Sequence, residues 1–181
     1  MNSSLGQILI PVEYWNGKES LELEYPWIVP EAVQTLHYFV KPHHEVIEYG
    51  AGGSTLFFAR RAKHVTSFES SSEWATKVMA EAEKKGIKNI EMHVAPTTHD
   101  CQDLSGRQFD VALIDCCGID RRVALKAALR LLRPGSILAI DNYDAIYCLG
   151  IDEILANYHK QQNFDDLHWW GAGKGTKVVY T

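Results

Sequence analysis

Apolar and polar positions along the chain fall into blocks whose period switches between two and about 3.6. Short apolar runs rich in β-branched residues predict strands at Val46–Tyr49, Val65–Glu69, Ile90–Val94, Val111–Asp115 and Ser136–Asp141, around Asp166–Trp170, and at Lys177–Tyr180. Between them lie helical stripes. Pro30 fits a first helical turn, and Ala32, Val33, Leu36, Phe39 and Val40 continue one face up to Pro42. Ser70 to Ser72 offer helix-start chemistry for a helix that opens at Glu73 and Trp74 and ends at Lys84, Lys85 and Gly86. Further helices are expected over Arg121–Leu132, stopped by Pro134 and Gly135, and over Ile151–Gln161. Strands alternating with helices predict a doubly wound α/β sheet.

The stretch VIEYGAGGSTLFFARR, Val46 to Arg61, joins a strand, a glycine-rich turn and an amphipathic helix without a break. Gly50, Gly52 and Gly53 allow a sharp turn and a close approach to a ligand, and Ser54 or Thr55 can cap the helix. The first-turn N–H groups of that helix favour oxygen ligands. A ligand-free βα turn is the plain alternative. The third glycine of the dinucleotide fingerprint is replaced by Thr55, and Glu48 precedes the turn, so a pyrophosphate would meet a carboxylate. An amino group or hydroxyls suit the site better. Glu69 ends the next strand near the ~20-residue offset at which an acid pairs with ribose hydroxyls.

EYGAGGST at 48–55, Glu69, FDVALID ending at Asp115 and LLRPGSILAIDN ending at Asn142 resemble, in order, the motifs of class I S-adenosylmethionine-dependent methyltransferases. With PWIVPEAV ahead of it, EYGAGGSTLFFA is similar to a group of small stand-alone members. The resemblance covers about residues 45 to 142. It implies S-adenosylmethionine as cofactor, and a seven-stranded, mostly parallel sheet with helices on both faces and an antiparallel last strand. Cofactor-binding residues expected on this basis are Glu48, Gly50, Ala51, Gly52, Ser54, Thr55, Glu69, Ser70 and Asp115. Thr97, Thr98 and His99 are candidates for the adenine edge.

For the chemistry, methyl transfer asks for alignment and exclusion of water, and a hydroxyl nucleophile must also lose a proton. Asp115, Asp141 and Tyr143 are the candidate catalytic residues. Asp115, Asp141 and Asn142 also resemble the D…DN set that holds a divalent cation in catechol- and caffeoyl-type O-methyltransferases. The lysine and tyrosine expected after the first aspartate have no match in CCGIDRR, and the favoured reading has no metal. His43 and His44 precede the first strand, on the wrong end of the sheet.

Composition narrows the partners. With 181 residues, 46% hydrophobic and 23% charged, the chain reads as one domain: an N-terminal arm and helix over 1–41 and a core over 42–181. A net charge of −5 argues against nucleic-acid and anionic-membrane surfaces, and Arg121–Arg122 reads as a solvated helix face. Cys101, Cys116, Cys117 and Cys148 lack metal or redox spacing and are expected to be reduced, and no stretch is apolar enough to span a bilayer. A cytoplasmic enzyme with a small-molecule acceptor, no nucleic acid and no membrane is expected. Residues 1–29 are read as an arm over the helices or a lid over the cofactor. HWWGAGKGT, 168–176, departs from a phosphate loop, and Trp169, Trp170 and Lys174 are placed either beside the acceptor or in a plain hairpin turn. The rival readings are an NAD(P)-linked oxidoreductase, whose Y-x-x-x-K would be Tyr14 to Lys18, and a non-catalytic S-adenosylmethionine- or nucleoside-binding module.

Overall fold

The computed structural model describes residues 19–97, 104–165 and 175–181, without the side chain of Tyr147. Seven strands form one sheet: β1 Glu45–Tyr49, β2 His64–Glu69, β3 Ile90–Val94, β4 Phe109–Ile114, β5 Leu132–Asp141, β6 Gln161–Asp165 and β7 Gly175–Tyr180, in spatial order β3-β2-β1-β4-β5-β7-β6. The first five are mutually parallel, and β7 is antiparallel to both β5 and β6. The order reverses between β1 and β4, which opens a crevice at the carboxyl ends of those strands.

Both faces are covered because the central strands are apolar on both sides. Val46, Val65, Val111, Leu113, Ile137 and Ala139 face α2 Pro30–Phe39 and α3 Gly53–Ala59. Ile47, Phe68, Ala112, Ile114, Leu138 and Ile140 face α5 Arg121–Leu131 and the short α6 Ile151–Ile154. The thirteen-residue α4, Ser72–Lys84, packs Val78 and Ala82 beside Leu56 of α3.

The N-terminal segment 19–29 contributes α1 Ser20–Leu23, whose Leu21 is buried with Leu56, Val78 and Ala82. A Cβ on Gly53 would lie 2.1 Å from the Ser20 carbonyl oxygen, so only glycine lets this segment seat on the start of α3. Glu24 binds Arg60 and Lys85, and Glu19 binds Lys77. This part is an arm packed on the helices; residues 1–18 lie outside the described residues.

Three expected boundaries move. The helix expected over Ile151–Gln161 is only Ile151–Ile154, because Gln161 already pairs with Val179. The neighbouring strand is Gln161–Asp165, and the stretch expected as strand, Asp166–Trp170, lies outside the described residues. β5 starts at Leu132, pairing with Phe109, and carries Pro134 and Gly135 across a register irregularity. Gly135 recovers a bond there, its N–H donating to Thr181 O.

Candidate active site at the carboxyl ends of β1, β2, β4 and β5

The glycine turn is fixed from both sides of one residue. Ala51 donates its N–H to Glu69 Oε2 at 2.9 Å, and its carbonyl accepts from Trp74 Nε1 at 2.7 Å. Glu69 Oε1 accepts from Ser71 N–H at 2.8 Å and from the Ser70 hydroxyl at 3.2 Å. Glu69 thus locks the turn between β1 and α3 to the end of β2. Gly50 has φ +98°, and a Cβ there would lie 2.0 Å from the Asp115 carbonyl oxygen. The turn and the end of β4 touch through that missing side chain.

Glu48 is fully buried. Its Oε2 accepts from Thr55 Oγ1 at 2.6 Å and Ser67 Oγ at 2.9 Å, and Thr55 Oγ1 in turn accepts from Gly52 N–H at 2.9 Å. Thr55 thereby caps α3 backwards and ties the turn to β1. Among the described residues Glu48 Oε1 has no hydrogen-bond partner. Burial pushes the Glu48 carboxyl up to about 7, against the pull of the neighbouring Ser54, Thr55 and Ser67 hydroxyls. A buried acceptor without a donor costs free energy, and a ligand amino group or hydroxyl would satisfy it.

The second half of the site is built on Arg121. Its side chain is only 4% exposed, which corrects the reading of a solvated face for Arg121, while Arg122 is exposed as expected. Nε donates to Cys116 O at 3.1 Å, one terminal nitrogen donates to Asp141 O, and the other reaches Asp115 Oδ1 at 3.1 Å and Asn142 Oδ1 at 3.4 Å. Asp115, Asp141 and Asn142 do converge, and the cation they converge on is a guanidinium. Among the described residues no group of three or more His, Cys, Asp or Glu is arranged to hold a metal ion. A sequence signal existed. A cation in the first turn of a helix opposes the helix dipole, so Arg121, one residue after the Asp120 N-cap, needed partners elsewhere.

The Asp141 side chain is also occupied: Oδ1 accepts from Thr176 Oγ1 at 2.7 Å, and Thr176 accepts from Val29 N–H at 3.1 Å. Burial raises both aspartates, with their mutual repulsion added for Asp141, while Arg121 pulls them down. Tyr143 points elsewhere. Its hydroxyl donates to Asp165 Oδ1 at 3.2 Å, Lys177 Nζ lies 4.9 Å from its ring centre, and burial with the neighbouring acids pushes it up to about 12. A phenol so raised is a hydrogen-bond donor at neutral pH. Cys116 and Cys148 are buried thiols with raised pKa, Cys116 to about 12, and Cys117 is exposed. Thr98, His99, Cys101, Trp169, Trp170 and Lys174 lie outside the described residues.

The family profile described as a methyltransferase domain matches residues 47–143, from within β1 to just past β5. The chain belongs to this methyltransferase family. A curated relative, the 23S rRNA (uracil(1939)-C(5))-methyltransferase of Methylococcus capsulatus, is 35% identical over 79 residues, 41% of this chain and 18% of that protein. The chain therefore spans less than a fifth of the length of that relative. Among solved structures, an rRNA methylase from Streptococcus thermophilus superposes with TM-score 0.62 at 18% identity, covering 81% of this chain and 92% of its own. The O-methyltransferase TomG from Streptomyces achromogenes, in complex with SAM, gives TM-score 0.67 at 18% identity, covering 91% and 90%. These likenesses are likenesses of fold, and the fold is that of class I methyltransferases.

One expectation is overturned here. Net charge was taken to exclude nucleic-acid partners, yet methyltransferases named for ribosomal RNA stand among both the sequence relatives and the structural neighbours of this family member. The exclusion does not hold, because a net charge averages the whole surface while a modifying enzyme meets its acceptor through one face. No helix among the described residues is long and apolar enough to cross a membrane.

Proposed function

We propose that the chain is an S-adenosylmethionine-dependent methyltransferase acting on an oxygen of a small-molecule or sugar-like acceptor. The observation that carries the reading is the glycine turn pinned between Glu69 and Trp74, joined through Thr55 to a buried Glu48 whose Oε1 lacks a partner. The donor set fits the cofactor. Glu69 ends β2 with one acceptor site left for a ribose hydroxyl beside its bonds to Ala51, Ser70 and Ser71, and the orphaned Glu48 oxygen suits an amino group. When bound, S-adenosylmethionine supplies a methyl group already activated on a sulfonium.

The chain's own residues then hold and align. Arg121 fixes Asp115 and the β5 end, so the groups facing donor and acceptor keep one geometry. Asp115, a third of its side chain exposed and its pKa raised, is the group placed to take the acceptor's proton. Asp141, bonded to Thr176, serves as a support for the strand end. Membership of a methyltransferase family supports methyl transfer over the NAD(P)-linked alternative.

Isothermal titration with S-adenosylhomocysteine beside NADH tests the cofactor. Micromolar binding of the homocysteine compound alone is the expected result, and tighter binding of NADH would overturn the proposal. A second reading, in which the acceptor is an RNA base, is favoured by the curated relative that acts on 23S rRNA. Methyl-labelled donor offered with total RNA and with a small-molecule extract separates the two by where the label appears.

A further inference from the structure

β3 has one side without a neighbouring strand. It ends the sheet, and among the described residues only β2 pairs with it. Asn89 O accepts from Val65 N–H and Ala95 N–H donates to Glu69 O, so both residues turn these backbone groups toward β2. Backbone direction alternates along a strand. Glu91 and His93 therefore also turn toward β2, and Ile90, Met92 and Val94 aim their N–H and C=O groups outward.

Natural sheets blunt such an edge with lysine, proline or a bulge, and IEMHV carries none of these. The edge opens onto a groove of about 800 Å³ between β3 and α4, lined by Ala75, Met79, Ala80, Ile87, Met92 and Val94 among others. Val94 is 46% exposed. Ala75 and Met79, four apart, share one face of α4, so the apolar strip continues from strand to helix.

The charges on β3 select what fits this edge. Ile90 and Met92 pack toward Val78 and Ala82 of α4, which places Glu91 and His93 on the opposite face. The Arg107 guanidinium, 2.8 Å away, holds the Glu91 carboxyl down to about 2, so Glu91 is ionised at neutral pH. An antiparallel copy of β3 centred on Met92 sets each Glu91 opposite the partner's His93. Centring on Glu91 would instead put two carboxylates directly opposite, which is destabilising, and centring on His93 would put two imidazoles there. The Met92 register also aligns the outward residues, Met92 with Met92 and Ile90 with Val94, as the hydrogen-bonded pairs.

We infer that the occupant of this edge is a second copy of the chain, joined through antiparallel β3 strands about a twofold axis at Met92. The two sheets become one, and the two α4 helices lie side by side with Met79 and Met92 filling the groove between them. Methionine suits that place because its unbranched chain adapts to an irregular gap. A twofold contact uses the same patch on both copies, so association closes at two.

The test uses the full chain. Sedimentation across a dilution series should show a monomer–dimer equilibrium. Val94→Pro removes an outward N–H and leaves the ladder to β2 intact, so it should weaken the dimer at least about tenfold while far-UV dichroism stays unchanged. Should that variant fail to fold, cysteine pairing decides. Met92→Cys should form an intermolecular disulfide on mild oxidation, because hydrogen-bonded partners sit about 5.5 Å apart between Cα atoms. Glu91→Cys and His93→Cys chains should cross-link when mixed and not when alone, with the parent chain and its exposed Cys117 as control. A monomer at every concentration up to about 100 µM, a dimer indifferent to Val94→Pro, or cross-linking without this register would each overturn the inference. A monomer whose Ile90, Met92 and Val94 amides resist hydrogen exchange would overturn it too, and would assign the edge to residues 1–18 of the same chain.

Discussion

The Arg121 guanidinium lies 3.1 Å from the Asp115 carboxylate, and the same nitrogen reaches Asn142 Oδ1 at 3.4 Å, so one buried cation joins the ends of β4 and β5. Asn142 sits at φ +48°, a left-handed position that asparagine tolerates. Removing the cation leaves Asp115 and Asp141 facing each other without compensation. Arg121→Met should lower unfolding free energy by about 3 kcal/mol, the lower end for breaking a buried pair because Asp115 keeps some solvent. Urea denaturation measures it, and the further change Asp115→Asn should recover part of the loss. With Arg121 in that position, EDTA should leave turnover unchanged; a magnesium requirement would show that the guanidinium does not stand where a metal acts.

Glu48 gives stability a pH dependence of known sign. Its carboxyl is raised from 4.5 to about 7 in the folded protein, so the folded state holds the proton more tightly. The stability this contributes is complete below pH about 4.5, falls as pH rises toward about 7, and is flat beyond. The full swing is on the order of 3 kcal/mol. Glu48→Gln keeps the acceptor for Thr55 and Ser67 and cannot ionise. The difference between parent and variant in urea titrations should therefore slope downward across that window; a flat difference would mean that Glu48 ionises normally.

Glu69 has a structural and a proposed binding role, and they can be separated. Glu69→Gln keeps an amide in place of the carboxylate and removes the charge from bonds to Ala51, Ser70 and Ser71. S-adenosylhomocysteine affinity should fall by about 1–3 kcal/mol in isothermal titration. Unchanged affinity would confine Glu69 to holding the turn.

Two glycines with positive φ should respond differently to alanine. At Gly50 the new Cβ would strike the backbone of Asp115, which cannot move without shifting β4, and a loss of several kcal/mol or failure to fold is expected. At Gly86, φ +69°, nothing lies within 4 Å, and the strained backbone alone should cost about 1 kcal/mol. Thermal melting of the two variants side by side checks the contrast.

Strands β1, β2 and β4 could be read from the chain because each is buried along nearly its whole length, and burial leaves its mark in composition; β3, at the sheet edge, is only partly buried. β6 could not. Its sequence, QQNFD, is exposed at Gln162, Asn163 and Asp165, and only pairing with β7 makes it a strand and stops α6 at Ile154. The glycine turn was legible for a different reason: Gly50 and Gly53 answer to backbone crowding that no other residue permits. Trp74 was read as the start of a helix, and its bond to Ala51 O depends on how α4 lies over the turn.

By itself, then, the sequence determined the doubly wound sheet, the turn after β1 and the acids that end the strands, since periodicity and backbone sterics are local properties. What each acid does was decided by tertiary structure. Asp115 and Asn142 meet Arg121, Asp141 meets Thr176, Tyr143 turns to Asp165, and Ile146 and Leu149 face residues 116–122 across a cleft. Apart from Asp115 with Arg121, six residues away, those pairings join residues 21 to 35 apart in the chain, and a hydrogen bond or a desolvated charge exists only once the packing has set them.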